Sequence, residues 1–264
     1  MKLARLVHGH GRPLVWLHGF PDHPPTAEPL FAALAGRQVI APWLRGYAPS
    51  PLAGPYDLET LAHDVIELLA ELDEPADLVG HDWGAVITYA VCALAPERVR
   101  RAATLAVPHP LTMLRALRSP AQLRRSWYML LFQLPGAERI VRARDFALID
   151  RLWRSWSPGF VLDGARRAAL NDCLAASLPA PIAYYRTMAR AFARRHELAQ
   201  LFARPIPTPL LQLHGADDGC ILPPTASDAH RFVHRELEIF GHAGHFFHLE
   251  RPDEVAARLI AWLA

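Results

Sequence analysis

A chain of 264 residues that is 52% hydrophobic and 20% charged is long enough for one large buried core and too apolar for a disordered protein. Its formal net charge of +2, without basic runs that alternate with aromatic residues, predicts no nucleic-acid partner. Three widely spaced cysteines and the lack of any apolar run of roughly 18 residues predict a cytoplasmic protein with reduced thiols and no membrane partner.

Short apolar runs alternate with helical patterns in the first hundred residues. The runs predict strands at 3–7, 13–17, 38–41, 76–79 and 102–107. The helical patterns predict helices at 58–72 and 84–95. This alternation is typical of a parallel sheet with helices on both of its faces.

The alternation stops at Pro108-His109-Pro110, and residues 109–204 show helices and loops only. It resumes with strands at 209–215 and 236–240 and a closing helix at 253–263. We therefore predict an α/β protein with a doubly wound, mostly parallel sheet, whose core parts are residues 1–108 and 205–264. The helical insertion at 109–204 is predicted to form a lid over the carboxyl ends of the strands, where ligands bind.

The predicted lid is unusually basic, because residues 109–204 hold 16 basic and 6 acidic side chains. Such a segment is either a solvated surface rich in arginine or an interaction surface. We favour the solvated surface, since no basic run alternates with aromatic side chains. The interaction surface remains the alternative.

A glycine-flanked aspartate follows the predicted strand at 76–79, in the sequence Gly80-His81-Asp82-Trp83-Gly84. The flanking glycines allow a sharp turn from strand to helix that leaves the central side chain exposed. A carboxylate is ionised near neutral pH, needs no base to activate it, and suits attack on an sp³ carbon. We predict that Asp82 is a nucleophile that forms an alkyl ester. The alternative is that Asp82 only caps the following helix.

Hydrolysis of such an ester needs a base, and the sequence near the C-terminus offers His242, His245 and His248. We choose His245, which follows a glycine in a loop just after a predicted strand. The base needs an acid to orient it, and we choose Asp218 over Asp217, both of which directly follow the strand at 209–215.

Ester hydrolysis also passes through an oxyanion, which requires backbone N–H donors. We predict the N–H groups of Trp83, the residue after the nucleophile, and of Phe20, in the strand-end loop His18-Gly19-Phe20-Pro21. The side chains of Phe20, Pro21 and Trp83 are then expected to contact the substrate.

These motifs, together with Arg45-Gly46-Tyr47-Ala48-Pro49-Ser50, resemble those of the epoxide hydrolases of the α/β-hydrolase fold. The matched pieces span almost the whole chain, and the order nucleophile, acid, histidine is the order of that fold. The resemblance implies hydrolysis of an epoxide to a vicinal diol through a covalent ester, without a cofactor. The aspartate elbow is shared with haloalkane and fluoroacetate dehalogenases.

The resemblance also implies two lid tyrosines whose hydroxyls hold and protonate the epoxide oxygen. The matching residues are Tyr128, shortly before Phe132-Gln133-Leu134-Pro135-Gly136, and Tyr185, just before Arg186. The alkoxide expelled from an epoxide is a poor leaving group without a proton donor, and a phenol can supply the proton. Trp127, beside Tyr128, is expected to contact the substrate.

Two other functions remain open. A haloalkane dehalogenase would direct N–H donors at a halide, for which the indoles of Trp83 and Trp127 are candidates. A non-catalytic binding protein would keep the pocket without turnover. The 14 histidines contain no H-E-x-x-H spacing, so we predict no metal. The expected partners are a small apolar epoxide and water.

Overall fold

The computed structural model describes residues 1–193 and 195–264, and it describes side chains at all of these except 190–195. A seven-stranded sheet forms the centre of this part of the chain. The central strands carry apolar side chains on both faces and are fully buried, as expected for a covered parallel sheet. The strands are β1 (Arg5–His8), β2 (Arg12–Leu17), β3 (Arg37–Pro42), β4 (Ala76–His81), β5 (Val99–Leu105), β6 (Leu210–Gly215) and β7 (Arg235–Phe240).

The strand order is β1-β3-β2-β4-β5-β6-β7. Only the edge strand β1 runs antiparallel to its neighbour, and the other pairs are parallel. The chain passes from β2 to one side, forms β3, and returns to the other side as β4. The loops after β2 and β4 therefore diverge at this switch point, and a crevice for a ligand opens between them.

Twelve α-helices accompany the sheet in the described part of the chain. They are α1 (Glu28–Ala33), α2 (Leu58–Ala70), α3 (Trp83–Leu94), α4 (Pro110–Ala116), α5 (Pro120–Arg125), α6 (Trp127–Leu131), α7 (Ala137–Trp156), α8 (Gly164–Ser177), α9 (Ala180–Ala193), α10 (Arg195–Leu201), α11 (Phe247–Glu250) and α12 (Pro252–Trp262). Helix α7 is kinked at residues 143–146, where the backbone leaves helical φ and ψ values. Short 3-10 helices are Pro24–Ala27, Pro96–Arg98 and Ala226–Arg231.

The sheet separates two apolar layers because side chains alternate along each strand. Leu14 and Trp16 of β2 face the layer that holds α1 and α12. Val15 and Leu17 face the layer that holds α2 and α3. The second layer continues into the helices between β5 and β6, so those helices pack on the side of the core where α3 begins.

The structure confirms the predicted α/β class and the doubly wound, mostly parallel sheet. The predicted strands and helices lie within a few residues of the observed ones, whereas the short helix α1 was not predicted. Among the described residues between β5 and β6 no strand of the sheet occurs. The division into core parts 1–108 and 205–264 and a lid at 109–204 stays a prediction. No described helix has both the length and the apolar character that a membrane span requires.

Candidate active site

The turn between β4 and α3 holds Asp82 in an unusual backbone conformation. Asp82 has φ 52° and ψ −117°, a region that costs a residue with a side chain about 1–3 kcal/mol. The turn points the carboxylate into the crevice between the loops after β2 and β4. The turn also brings Gly80 and Gly84 together, since a Cβ atom on Gly80 would lie 2.2 Å from the carbonyl oxygen of Gly84.

Neighbouring atoms approach this turn so closely that they leave no room for a side chain at two glycines. A Cβ atom on Gly84 would lie 2.1 Å from the carbonyl oxygen of Leu17, so α3 could not pack against the end of β2 with a larger residue there. A Cβ atom on Gly19 would lie 2.4 Å from Oδ1 of Asp82. Both glycines are therefore required by the position of the carboxylate.

The structure brings the three predicted members of the catalytic set together. Nδ1 of His245 lies 2.8 Å from Oδ2 of Asp218, and Nε2 of the same ring lies 3.5 Å from Oδ2 of Asp82. All three side chains are buried. The imidazole ring thus stands between the two carboxylates, with Nε2 towards Asp82.

Asp218, rather than Asp217, contacts His245. Oδ1 of Asp218 accepts hydrogen bonds from the N–H groups of Cys220 at 2.7 Å and Ile221 at 2.9 Å. Burial alone would raise the pKa of Asp218, but the His245 charge and the hydrogen bonds from His214 and His245 outweigh it, and the pKa lies below its usual range. Asp217 is exposed.

His245 is protonated near neutral pH. Burial opposes its charge, but the carboxylates of Asp218 and Asp82 together raise its pKa to about 10. An imidazolium therefore neutralises part of the charge of the two acids in the resting site.

One of the two predicted oxyanion donors already contacts the carboxylate. The N–H of Phe20 donates to Oδ1 of Asp82 at 2.8 Å. Within residues 1–193 and 195–264, the N–H of Trp83 forms no hydrogen bond with that carboxylate. It is the first N–H of α3, which has no acceptor within the helix.

The two predicted tyrosines face the same small cavity as Asp82. Their ring centroids are 5.5 Å apart, and both line a cavity of about 40 Å³ together with Trp83, Met113 and Ile221. The hydroxyl of Tyr128 lies 3.4 Å from Sγ of Cys220, and that of Tyr185 has no hydrogen-bond partner among the described residues. Burial raises the pKa of both hydroxyls well above the usual value, so both stay protonated.

Comparison with known proteins decides the family. Residues 6–258 match the model of the alpha/beta hydrolase family. The chain belongs to this family. It is 31% identical to epoxide hydrolase A of Mycobacterium tuberculosis (strain ATCC 25618 / H37Rv) over 300 residues, which cover 96% of this chain and 91% of that protein. It is 29% identical to epoxide hydrolase 4 of Mus musculus over 271 residues, which cover 96% and 73% of the two chains.

Solved structures agree with this assignment. The crystal structure of a Bacillus megaterium epoxide hydrolase has the same fold, with a TM-score of 0.88 at 24% identity over 99% of this chain and 96% of that one. The crystal structure of epoxide hydrolase A from Mycobacterium thermoresistibile has a TM-score of 0.81 at 26% identity, over 98% of this chain and 93% of that one. Within the alpha/beta hydrolase family, the chain groups with the epoxide hydrolases.

Of the four residues predicted to contact substrate, Trp83 lines the cavity of this alpha/beta hydrolase, whereas Phe20, Pro21 and Trp127 do not. The Trp127 ring is 36% exposed and lies against the guanidinium of Arg151, whose carbon is 5.3 Å from the ring centroid. It neighbours Tyr128 on α6, and one residue along a helix turns a side chain by about 100°. The prediction for Trp127 is therefore corrected. Pro21 is buried behind Phe20, and its carbonyl accepts a hydrogen bond from Nε1 of Trp153 at 3.1 Å.

The C-terminal end of α7 holds the loops of Asp218 and His245, which the sequence analysis did not predict. The carbonyl of Trp156 accepts hydrogen bonds from the N–H groups of His245 at 2.9 Å and Gly219 at 3.1 Å. Oγ of Ser157 accepts from the N–H of Phe246 at 2.8 Å. These contacts join residues more than sixty positions apart, so no local pattern in the sequence indicates them.

Behind His245 lies a buried group that could ligate a metal ion, formed by Asp22, His81 and His248. One potential ligand atom from each residue lies within 4.8 Å of the others. Burial raises the pKa of Asp22 to about 7 and lowers that of His81 to about 3. Neutral His81 places Nε2 3.0 Å from the carbonyl oxygen of His245. His81 thus supports the loop of His245 from behind.

The raised pKa of His245 predicts a pH-dependent contribution to stability. The pKa of histidine in the unfolded chain is about 6.5, so the contribution is complete below that pH and is lost as the pH rises towards about 10. We expect His245→Gln to lower the free energy of unfolding more at pH 6.5 than at pH 10. Urea unfolding at both pH values measures this, with the exposed His230→Gln as control. An equal loss at both would contradict the charged state.

Proposed function

We propose that the chain hydrolyses an epoxide to a vicinal diol through an alkyl ester on Asp82. The observation that carries this proposal is the small cavity in which a carboxylate faces two protonated tyrosine hydroxyls, with a paired histidine beside it. Such a cavity supplies a nucleophile, a proton donor for an oxygen leaving group, and a base. The names of the relatives support the same reaction.

In the first step, Oδ2 of Asp82 attacks an epoxide carbon. Oδ1 is held by the N–H of Phe20, whereas Oδ2 has only a long contact of 3.5 Å to His245, so Oδ2 is the oxygen available to the substrate. The carbon–oxygen bond of the epoxide breaks, and the oxygen takes a proton from Tyr128 or Tyr185. Hydrogen bonds from both hydroxyls stabilise the charge that develops on that oxygen.

In the second step, His245 removes a proton from water, and the water oxygen attacks the ester carbonyl. The negative charge that forms on Oδ1 is stabilised by the N–H of Phe20, which already contacts that oxygen, and the N–H of Trp83, which has no acceptor within α3, is the second proposed donor. Asp218 holds the imidazole by its Nδ1–H and stabilises the positive charge. Collapse releases the diol and restores the carboxylate.

The protons balance over the cycle. His245 begins protonated, and esterification of Asp82 removes one of the two carboxylate charges that raise its pKa. The imidazolium can then return a proton to the tyrosine and become the neutral base that the second step needs. At the end of that step it is protonated again, and the resting site is restored.

The haloalkane dehalogenase is less well supported by the site. Of the two indoles considered as halide donors, only that of Trp83 lines the cavity, whereas Trp127 lies on the surface. Two hydroxyl groups in the cavity suit an oxygen leaving group better than a halide.

Single turnover in ¹⁸O-labelled water tests the proposed reaction. The enzyme, in excess, receives an aryl epoxide in one sample and a bromoalkane in another. Because the diol takes its new oxygen from Asp82, we expect label in the peptide that holds Asp82 and none in the first diol formed. Label in the diol and none in Asp82 would exclude the ester. Bromide release without diol formation would favour the dehalogenase.

The tyrosines give a second test. We expect Tyr128→Phe with Tyr185→Phe to lower kcat for epoxide opening by roughly 10²–10⁴-fold, the usual contribution of a general acid. Tyr184→Phe is the matched control, since the hydroxyl of Tyr184 donates to the carbonyl of Arg45 outside the cavity. Steady-state rates and thermal melting of all variants separate chemistry from folding. A double variant with wild-type kcat would contradict the assignment.

A further inference from the structure

A surface groove of about 660 Å³ leads to the cavity of Asp82. The groove and the cavity share Met129, Tyr185 and Met188 as lining residues. The groove therefore borders the cavity at Tyr185, one of the two tyrosines proposed to hold the epoxide oxygen. The rest of its lining is largely apolar and includes Leu111, Leu114, Leu117 and Leu123.

Three arginines line the same groove: Arg115 at the end of α4, Arg118 just after it, and Arg231 at the end of the 3-10 helix 226–231. Arg115 and Arg118 are exposed, and Arg231 is half-buried. In the part of the chain with described side chains, none of the three guanidinium groups forms an ion pair, and Nε of Arg231 is buried without a hydrogen-bond partner.

Among the residues with described side chains, nearby acids do not balance the charges of this group. Burial and the neighbouring charge of Arg115 lower the pKa of Arg231, and Asp228 offsets this only in part. The carboxylate of Asp228 is already engaged by Arg235 and by the hydroxyl of Thr112. Bringing like charges together at a partly apolar surface is unfavourable unless an anion binds between them.

We infer that Arg115 and Arg231 bind an anionic group, and that the substrate is an amphipathic epoxide with a carboxylate at the end remote from the oxirane ring. This inference rests on the proposed function. The apolar walls contact the body of the molecule, and the planar guanidinium groups match a carboxylate in shape and charge. Arg115 and Arg118, two of the 16 basic residues of 109–204, then lie where the substrate enters.

Turnover of matched substrates tests the inference. We use terminal epoxides that carry a carboxylate at the other end of an unbranched alkyl chain, in three chain lengths, each beside its methyl ester. Wild type is expected to prefer the acid, most strongly at one chain length. The double variant Arg115→Gln with Arg231→Gln should lower kcat/KM for that acid by about 10- to 100-fold. Its kcat for the acid and its kcat/KM for the methyl ester should stay at the wild-type values. The exposed pair Arg124→Gln with Arg139→Gln changes net charge equally and should have no such effect.

A binding measurement separates this inference from the proposed function. Calorimetry with undecanoate and undecanamide, which contain no epoxide, should show a preference for the carboxylate that the Arg115 and Arg231 double variant loses. If the epoxide ring of the methyl-ester substrates is opened but neither assay shows a preference that depends on these arginines, the inference fails and the proposed function stands. If undecanoate binding depends on them but no epoxide is opened, the proposed function fails and the anion site stands. An equal loss of the preference for the carboxylate in the control variant Arg124→Gln with Arg139→Gln would also overturn the proposed anion site.

Discussion

Replacement of Asp82 by asparagine is expected to reduce diol formation by roughly 10⁴-fold or more, as loss of a covalent nucleophile does in other hydrolases. The amide has nearly the same shape as the carboxylate, so asparagine meets the same contacts at the φ of 52° and ψ of −117° that Asp82 adopts. The turn between β4 and α3 should therefore keep its conformation. Only the nucleophile is lost, because an amide oxygen does not attack an epoxide carbon at a useful rate.

Asp217→Asn is the matched control for this result. Asp217 lies one residue from the acid that contacts His245, yet its carboxylate is exposed and lies 3.9 Å from Nδ1 of the exposed His242. We expect its initial rates to stay close to those of wild type. Intact mass and thermal melting confirm that each variant is folded and unmodified. If folded Asp82→Asn protein of the correct mass formed diol at a wild-type rate, the ester mechanism would be falsified.

The sharp turn at Asp82 could be predicted from the sequence because its constraints are local. A carboxylate between two glycines, after an apolar run and before a helical pattern, has few other structural explanations. The structure supplies the reason for the spacing, since any Cβ on Gly84 would collide with the backbone of Leu17. The choice of Asp218 over Asp217 also follows a local pattern, and the contact with His245 agrees with it.

Contacts between distant segments could not be read from the sequence. The end of α7 holds the loops of Asp218 and His245 through the carbonyl of Trp156, and backbone acceptors leave no pattern of residue types. Trp127 shows the same difficulty within a helix. The motif indicates Tyr128 as a cavity residue, but the direction of the Trp127 side chain depends on how α6 packs. In the structure, the Trp127 ring lies at the surface against the guanidinium of Arg151.

The charge of the helical segment was visible in the sequence, but its arrangement was not. A count of arginines does not distinguish those that pair with acids, such as Arg167 with Asp150, from those that remain unpaired at the groove. That distinction depends on which turns of α4 and of the 3-10 helix 226–231 face each other. The structure thus turns a general property of the segment into a specific hypothesis about substrate charge.

Replacement of His245 by glutamine is expected to stop the reaction at the ester. Asp82 can still attack the epoxide, but water is no longer activated, so kcat should fall by roughly 10²–10⁴-fold. The enzyme should then gain the mass of one epoxide per chain, located on the peptide that holds Asp82. Intact mass spectrometry after incubation with an aryl epoxide, followed by proteolysis, measures both.

The double variant Asp82→Asn with His245→Gln provides the control, and it should gain no mass. Gain of mass in the single variant alone would show that the first step needs the carboxylate and not the imidazole. If neither variant gained mass and both lost turnover, His245 would be required before the ester forms, as a base for direct attack of water on the epoxide. The position of the ring favours the first result, because Nε2 lies 3.5 Å from Oδ2 of Asp82, beside the oxygen that the ester would occupy.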